Sequence, residues 1–351
     1  MKIGLIGCGG VSPAHLRIYN SIEGAEVVGL CDIDVKKAKN LAMKFHVEKT
    51  YADYWDMFES HKLDLVDICT PVSTHKKIVC DAAKAVPAIL VEKPMAMDVR
   101  ECDEMIAEVK KHNSKLCIGH NQLFFPFMQR AKRVVDSSSF KLLSFITTQK
   151  ESFELLKAHD LAPAWNVSPE QRGIIWEVCC HLAYLQLHFL PDIKEVYALG
   201  SKAKYPVYDN FVVLLRTSDM RYGVIELSWL SRETEIIYEL TDVGGRRLQM
   251  YREFNCMQED SQEPPFNVSG VARNILTEEK RMLKRWWNYG SGYIRHSKII
   301  PSFQLIDRYI ESIKKDLPPP VTGEDGRRTV NLLECIEESL EERKPVKCSS
   351  W

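Results

Sequence analysis

The sequence has no run of about 18 consecutive apolar residues, no block of like charges, no CxxC pair and no internal repeat. Each absence removes a class of protein. Without a long apolar run there is no candidate for a membrane-spanning helix. The opening MKIGLIG enters a strand pattern at once, with no basic leader, so the chain is expected to be cytoplasmic. A formal net charge of -1 with 27% charged residues offers no global field for nucleic acid or a membrane surface, and neither is expected as a partner. The 11 cysteines are odd in number and scattered through apolar stretches, which fits reduced core thiols better than a disulfide framework. What remains is a chain of 351 residues, longer than a single hydrophobic core sustains, so two domains are expected.

Short β-branched or apolar runs at 2–7, 26–31, 65–69 and 88–91 alternate with helical patterns such as AHLRIYNSI and KKAKNLAMKF. That alternation predicts βαβ units and a doubly wound parallel sheet, in an N-terminal domain over 1–122. From 123 to 351 the texture changes. KLLSFITTQK, NFVVLLRTS, YGVIELSWLS and IIYELTD are longer strand-like segments joined by the turn signals TSDMRYG and DVGGRR, and they predict an antiparallel sheet. A helical excursion is expected at about 255–300, where SQEPPFN precedes TEEKRMLKRWWNYGSGYIRHSK. The basic aromatic part, 278–298, has residue types that bind a phosphate or a base, but is read first as a solvated helix covering a sheet edge. Helices near 302–315 and 325–342 close the chain.

In GLIGCGGVSPAH, Gly7 and Gly9 end the first strand, and Gly10, Val11 and Ser12 lead into a helix. A turn of this kind lets backbone N–H groups approach a pyrophosphate at a helix N-terminus. Ser12 stands where the fingerprint has glycine or alanine. Asp32 ends the second strand, where an acid holds the adenine ribose hydroxyls. Its carboxylate would repel the extra phosphate of NADP, so NAD is the expected cofactor, although Lys36 and Lys37 soften that discrimination.

The fourth strand-like run ends in LVEKPMAM. In a doubly wound sheet the carboxyl ends of the strands line the ligand crevice, so Glu92 and Lys93 are expected beside the nicotinamide. Together with CTPVSTH at 69–75, GHNQLFFP at 119–126, AWNVSPEQRG and PPVTGEDGRRTVNLLECIEESL, these motifs resemble the Gfo/Idh/MocA oxidoreductase family from end to end. The resemblance implies a Rossmann domain followed by an α+β domain with a large open, mostly antiparallel sheet that mediates a homodimer or homotetramer. It also implies a sugar, polyol or nucleotide-sugar substrate. Carried over by position, Thr70, Pro71, Ser73 and His75 border the cofactor with Asn121, and Lys93 contacts the reacting hydroxyl. Asn121 and Trp165 line the substrate side. Gln122, Leu123 and Asn166 stand where many members carry arginines, which argues against an anionic head group.

The apolar run GIIWEVCCHLAYLQLHFL contains Glu177 and His181, an i, i+4 pair that shares one helix face while Val178, Leu182 and Leu185 turn to a core. The resembling family has an acid, usually aspartate, and a histidine here, and Tyr184 replaces a common second acid. The expected roles are His181 as acid or base, Lys93 as cationic donor to a developing alkoxide, and Glu177 as orienter of one of them. A zinc site from Cys179, Cys180, His181 and Glu177 is set aside because adjacent cysteines diverge on a helix, and no metal is expected. Two other functions remain open: a sugar- or dinucleotide-sensing regulator without turnover, and an enzyme that oxidises its substrate only transiently for a net elimination or hydrolysis.

Overall fold

The buried faces of the early strands follow from their composition. Leu65–Ile68 and Ala88–Val91 are buried at every position, as expected of strands covered on both faces by helices. A computed structural model describes residues 1–159, 164–169, 172–252, 256–259, 280, 283 and 301–348, so the basic aromatic segment falls almost wholly outside the described residues. The chain divides into two compact units, one of Met1–Asn121 with Pro301–Asn331, the other of Gln122–Ile300 with Leu332–Trp351. A second domain running unbroken over 123–351 is therefore interrupted, because 301–331 return to the first unit.

The first unit holds six parallel strands: β1 (Lys2–Ile6), β2 (Glu26–Cys31), β3 (Lys49–Tyr51), β4 (Leu65–Ile68), β5 (Ala88–Val91) and β6 (Lys115–Ile118). Their order is β3-β2-β1-β4-β5-β6, so the winding reverses between β1 and β4. That reversal opens the crevice where doubly wound sheets bind ligands. The helices between them are α1 (Ser12–Tyr19), α2 (Val35–Phe45), α3 (Tyr54–Ser60), α4 (His75–Ala82) and α5 (Val99–Lys111). Asp34, Asp53 and Asp98 cap α2, α3 and α5 through their side chains. No side chain caps α1.

The second unit holds α6 (Pro126–Val135), β7 (Leu142–Ser152), α7 (Phe153–Ala158), α8 (Cys180–Phe189), β8 (Ile193–Ser201), β9 (Asn210–Thr217), β10 (Tyr222–Ser228), β11 (Leu230–Asp242), β12 (Arg247–Tyr251) and β13 (Cys256–Glu259). After α9 (Pro301–Lys314) in the first unit come α10 (Gly323–Glu342) and the last described strand, β14 (Val346–Lys347). The sheet order is β13-β12-β11-β7-β10-β9-β8-β14, antiparallel except where β10 lies parallel to β7. One face is buried through Phe145, Val213, Ile225 and Tyr238. α8 lies on that face, and its buried Gln186 donates to the carbonyls of Phe145 and Val224 at 3.1 and 3.0 Å. Gly223 leaves room for it, since a Cβ there would stand 2.3 Å from the Gln186 Oε1.

α9 is fastened to the first sheet by one phenol. Tyr309 is fully buried, accepts the Ile89 N–H at 3.1 Å and donates to the Lys115 carbonyl at 2.7 Å. Tyr309→Phe should cost about 1–3 kcal/mol, because it strips bonded backbone groups of their partner in a dry site. Thermal unfolding should show a lower midpoint.

Candidate active site

The glycine turn follows from how closely β1 and β4 approach at the point of reversal. Gly7 has φ 91°, and a Cβ there would lie 2.4 Å from the Cys69 carbonyl oxygen at the end of β4. No other residue fits. Gly9 and Gly10 differ, since a Cβ on either would meet nothing within 4 Å. The space over them is open. Ser12 is buried, and its hydroxyl donates to the Gly7 carbonyl at 2.5 Å, tying the start of the turn to the start of α1. Its departure from the usual fingerprint thus has a structural purpose. With Val11 exposed and offering no cap, the leading N–H groups of α1 suit a bound pyrophosphate.

Asp32 supports the same turn from β2. Its Oδ2 accepts the Cys8 N–H at 2.7 Å and its Oδ1 the Asp34 N–H at 2.8 Å. A carboxylate has further lone pairs for ribose hydroxyls, so the residues present fit a dinucleotide. Thr70, Pro71 and Ser73 form the loop after β4, closed by the Thr74 hydroxyl on Thr70 Oγ1 and the Pro71 carbonyl, each at 2.8 Å. His75 lies behind that loop rather than on its surface. It is buried, with Nε2 2.9 Å from the Thr70 carbonyl and Nδ1 3.0 Å from the Pro94 carbonyl, and burial lowers its pKa. It clamps the CTP loop to the EKP turn.

Beneath that turn lies a set of charges that the sequence motifs do not announce. Asp67 on β4 has no exposed surface; its Oδ2 accepts from His15 Nδ1 at 2.7 Å and from the Tyr19 hydroxyl at 2.9 Å. The Cys69 thiol lies 3.5 Å from both His15 Nδ1 and Asp67 Oδ1. Burial, with the Asp67 charge, pushes that thiol up to about 12. For His15, burial alone would lower the pKa, but the touching Asp67 reverses this and holds it well above its ordinary value. Burial would raise Glu92, yet His15 and then Lys93 hold its carboxyl below the usual range. The Lys93 backbone N–H donates to Glu92 Oε2 at 3.2 Å, and Asn121 donates to the Ser302 hydroxyl at 3.0 Å.

In the second unit, Arg172 anchors the segment that carries the other candidates. Its guanidinium stacks 3.8 Å from the Trp176 ring centroid and pairs with Glu337 on α10. Glu177 then falls in a π-helical turn, Ile175–Cys179, that runs into α8. The pair is therefore not part of one regular α-helix, as its spacing suggests. Both Glu177 and His181 are half-buried, Leu182 and Leu185 are fully buried, and Val178, expected in the core, is only half-buried.

His181 Nδ1 lies 2.7 Å from the Tyr184 hydroxyl, which also accepts the Gln122 N–H at 3.0 Å. Tyr184, read in the sequence only as a lost acid, is thus a partner of the histidine. Gln122 is buried and accepts from the Tyr238 hydroxyl at 3.2 Å, a core role. Asn166 is likewise buried, and the Trp165 side chain lies outside the described residues. Among the described residues, the His, Cys and acid atoms close enough to share an ion belong to His15, Asp67 and Cys69, not to the Cys179–Cys180 pair.

An open glycine turn at a sheet reversal, with an acid just past the second strand, defines a dinucleotide-binding domain. Residues 1–120 match the family model described as an oxidoreductase family with an NAD-binding Rossmann fold, and 128–249 match the GFO/IDH/MocA C-terminal domain. A D-apiose dehydrogenase of Rhizobium rhizogenes is 30% identical, over 99% of this chain and 97% of its own. A myo-inositol 2-dehydrogenase of Thermotoga maritima is 25% identical, over 99% and 98%. The solved scyllo-inositol dehydrogenase of Lactobacillus casei, with bound NAD(H) and scyllo-inositol, shares the fold at a TM-score of 0.78 and 17% identity, covering 100% of this chain and 99% of that one. The chain belongs to the Gfo/Idh/MocA family and is an NAD-binding oxidoreductase.

Two glycine substitutions separate the structural from the cofactor-binding part of the turn. Gly7→Ala should cost about 1–3 kcal/mol of stability or more, since it adds strain at positive φ to a backbone clash. Gly9→Val should leave the unfolding midpoint unchanged but weaken NAD binding about tenfold, equivalent to ~1.4 kcal/mol. Calorimetric titration alongside thermal unfolding distinguishes the two.

Proposed function

We propose that the protein transfers a hydride between NAD and a hydroxyl-bearing carbon of an uncharged sugar or polyol. The observation that carries this reading is the EKP turn itself, with Lys93 at the carboxyl end of β5 in the same sheet whose β1 ends in an open glycine turn. NAD supplies the hydride acceptor. Lys93 serves as the cationic donor that stabilises the developing alkoxide, and His181 removes the hydroxyl proton in oxidation and returns it in reduction. We assign Tyr184 to hold the imidazole through Nδ1, and Nε2 to carry the proton. Glu177 accepts from a neighbouring substrate hydroxyl. The relatives named for myo-inositol and D-apiose act on neutral polyhydroxyl compounds, and the core roles of Gln122 and Asn166 support a substrate without an anionic head group.

Absorbance at the nicotinamide band, with NAD and a panel of myo-inositol, scyllo-inositol, D-apiose and nucleotide sugars, should reveal net turnover. Lys93→Ala should lower kcat about 10²–10³-fold and His181→Ala about 10²–10⁴-fold, each with NAD binding near that of the parent. Parental turnover in Lys93→Ala sinks the mechanism.

The open face of the second sheet supports a homodimer or homotetramer. Leu199, Leu214 and Tyr222 on β8, β9 and β10 are 49, 50 and 43% exposed, and Tyr197 and Val224 flank Leu214 in register. Burying such a patch against a second copy removes apolar area from water. Leu214→Asp should convert the assembly to monomer by sedimentation velocity without altering the secondary-structure spectrum.

A further inference from the structure

A line of buried charges runs from α1 to the EKP lysine within the first unit. His15 Nδ1 is bonded to Asp67, its Nε2 stands 3.4 Å from Glu92 Oε1, and Glu92 Oε2 accepts the Lys93 N–H. The three links come from three separate elements: α1, β4 and the residues just after β5. With His15 as an imidazolium the signs alternate along the line, Asp67 negative, His15 positive, Glu92 negative and Lys93 positive. The side chains of His15, Asp67 and Glu92 are only 4, 0 and 14% exposed, so water competes little for these bonds. Gly119 leaves room for the Glu92 carboxylate in this place, since a Cβ there would stand 3.1 Å from its Oε1.

We propose that His15 is a positioning residue for Lys93, fixing the Glu92 carboxylate and through it the backbone of the turn that presents the lysine. The inference rests on the assignment of Lys93 to the reacting oxygen. A metal ion on His15, Asp67 and Cys69 accounts for the geometry less well. The His15 and Asp67 atoms are already at hydrogen-bond distance from one another.

The groups facing His15 are Tyr19 on its own helix, Asp67 and Cys69 at the end of β4, and Glu92 of the turn, with Lys93 and His120 acting on Glu92 in turn. Since the folded-state pKa of His15 is raised above its unfolded value, the link is intact at neutral pH and is lost as pH rises through the folded value.

The test uses His15→Gln, which keeps an amide donor but removes the charge, with kcat measured on whichever of myo-inositol, scyllo-inositol or D-apiose the parent turns over. The expected result is a kcat about 10- to 100-fold lower, NAD affinity and circular dichroism like the parent's, and loss of the alkaline limb of the kcat profile. In the unaltered protein, ¹⁵N-histidine spectra should show one imidazole still doubly protonated at alkaline pH, where an ordinary imidazole has lost its second proton. A His15→Gln variant with the parent's kcat and pH profile, beside an inactive Lys93→Ala, overturns the inference alone. An active Lys93→Ala overturns the reading beneath it. Should the variant fail to fold, the spectra decide, and the absence of any doubly protonated imidazole in that range overturns the proposal.

Discussion

A carboxylate with no exposed surface has to be paired, and the first unit is arranged around that requirement at Asp67. The acid sits in β4, beside the strand at which the sheet reverses, and takes hydrogen bonds from two residues of α1. Removing its partners would leave a charge in a medium that cannot solvate it, which costs several kcal/mol. The same bonds set the rotation of α1 about its axis. Since α1 begins at the glycine turn, the buried acid also fixes the direction of the N–H groups offered to the cofactor.

The turn is therefore held from three sides. Asp32 holds the Cys8 N–H, Ser12 holds the Gly7 carbonyl, and the Cys69 carbonyl leaves no room for a side chain at Gly7. His75 performs a similar service one strand further on, joining the loop after β4 to the turn after β5. These contacts are short, buried and mostly to backbone atoms. They form a rigid floor, and the open space over Gly9 and Gly10 is the part left for a ligand.

Much of this was legible in the sequence where the signal is local. β1, β2, β4 and β5 read as apolar runs because parallel strands are covered on both faces. β3 escaped, since KTY has three residues and no apolar run, and β6 escaped because its three apolar residues sit between the polar stretch KKHNSK and the GHN that follows. The glycines, Asp32 and Lys93 stand at strand ends, where position carries the meaning. His15 and Asp67 do not, for they are 52 residues apart and an acid inside LVDI carries no periodicity. The return of 301–331 to the first unit is equally silent, because an amphipathic helix shows that it has an apolar face but not what covers it.

The glutamate at 177 shows how a local rule can mislead where the backbone is irregular. A carboxylate one methylene longer than aspartate reaches about 1.5 Å further, which on a regular helix would crowd a partner four residues on. Here the backbone is not regular. The π turn Ile175–Cys179 inserts a residue into the helical path just before α8 and re-aims the side chains on it, as such turns do at functional sites. The hydroxyl of Tyr184, three residues beyond His181 on α8, then meets Nδ1. The longer acid and the tyrosine thus both lie on or beside a distorted turn, where a spacing of four residues no longer decides which side chains meet.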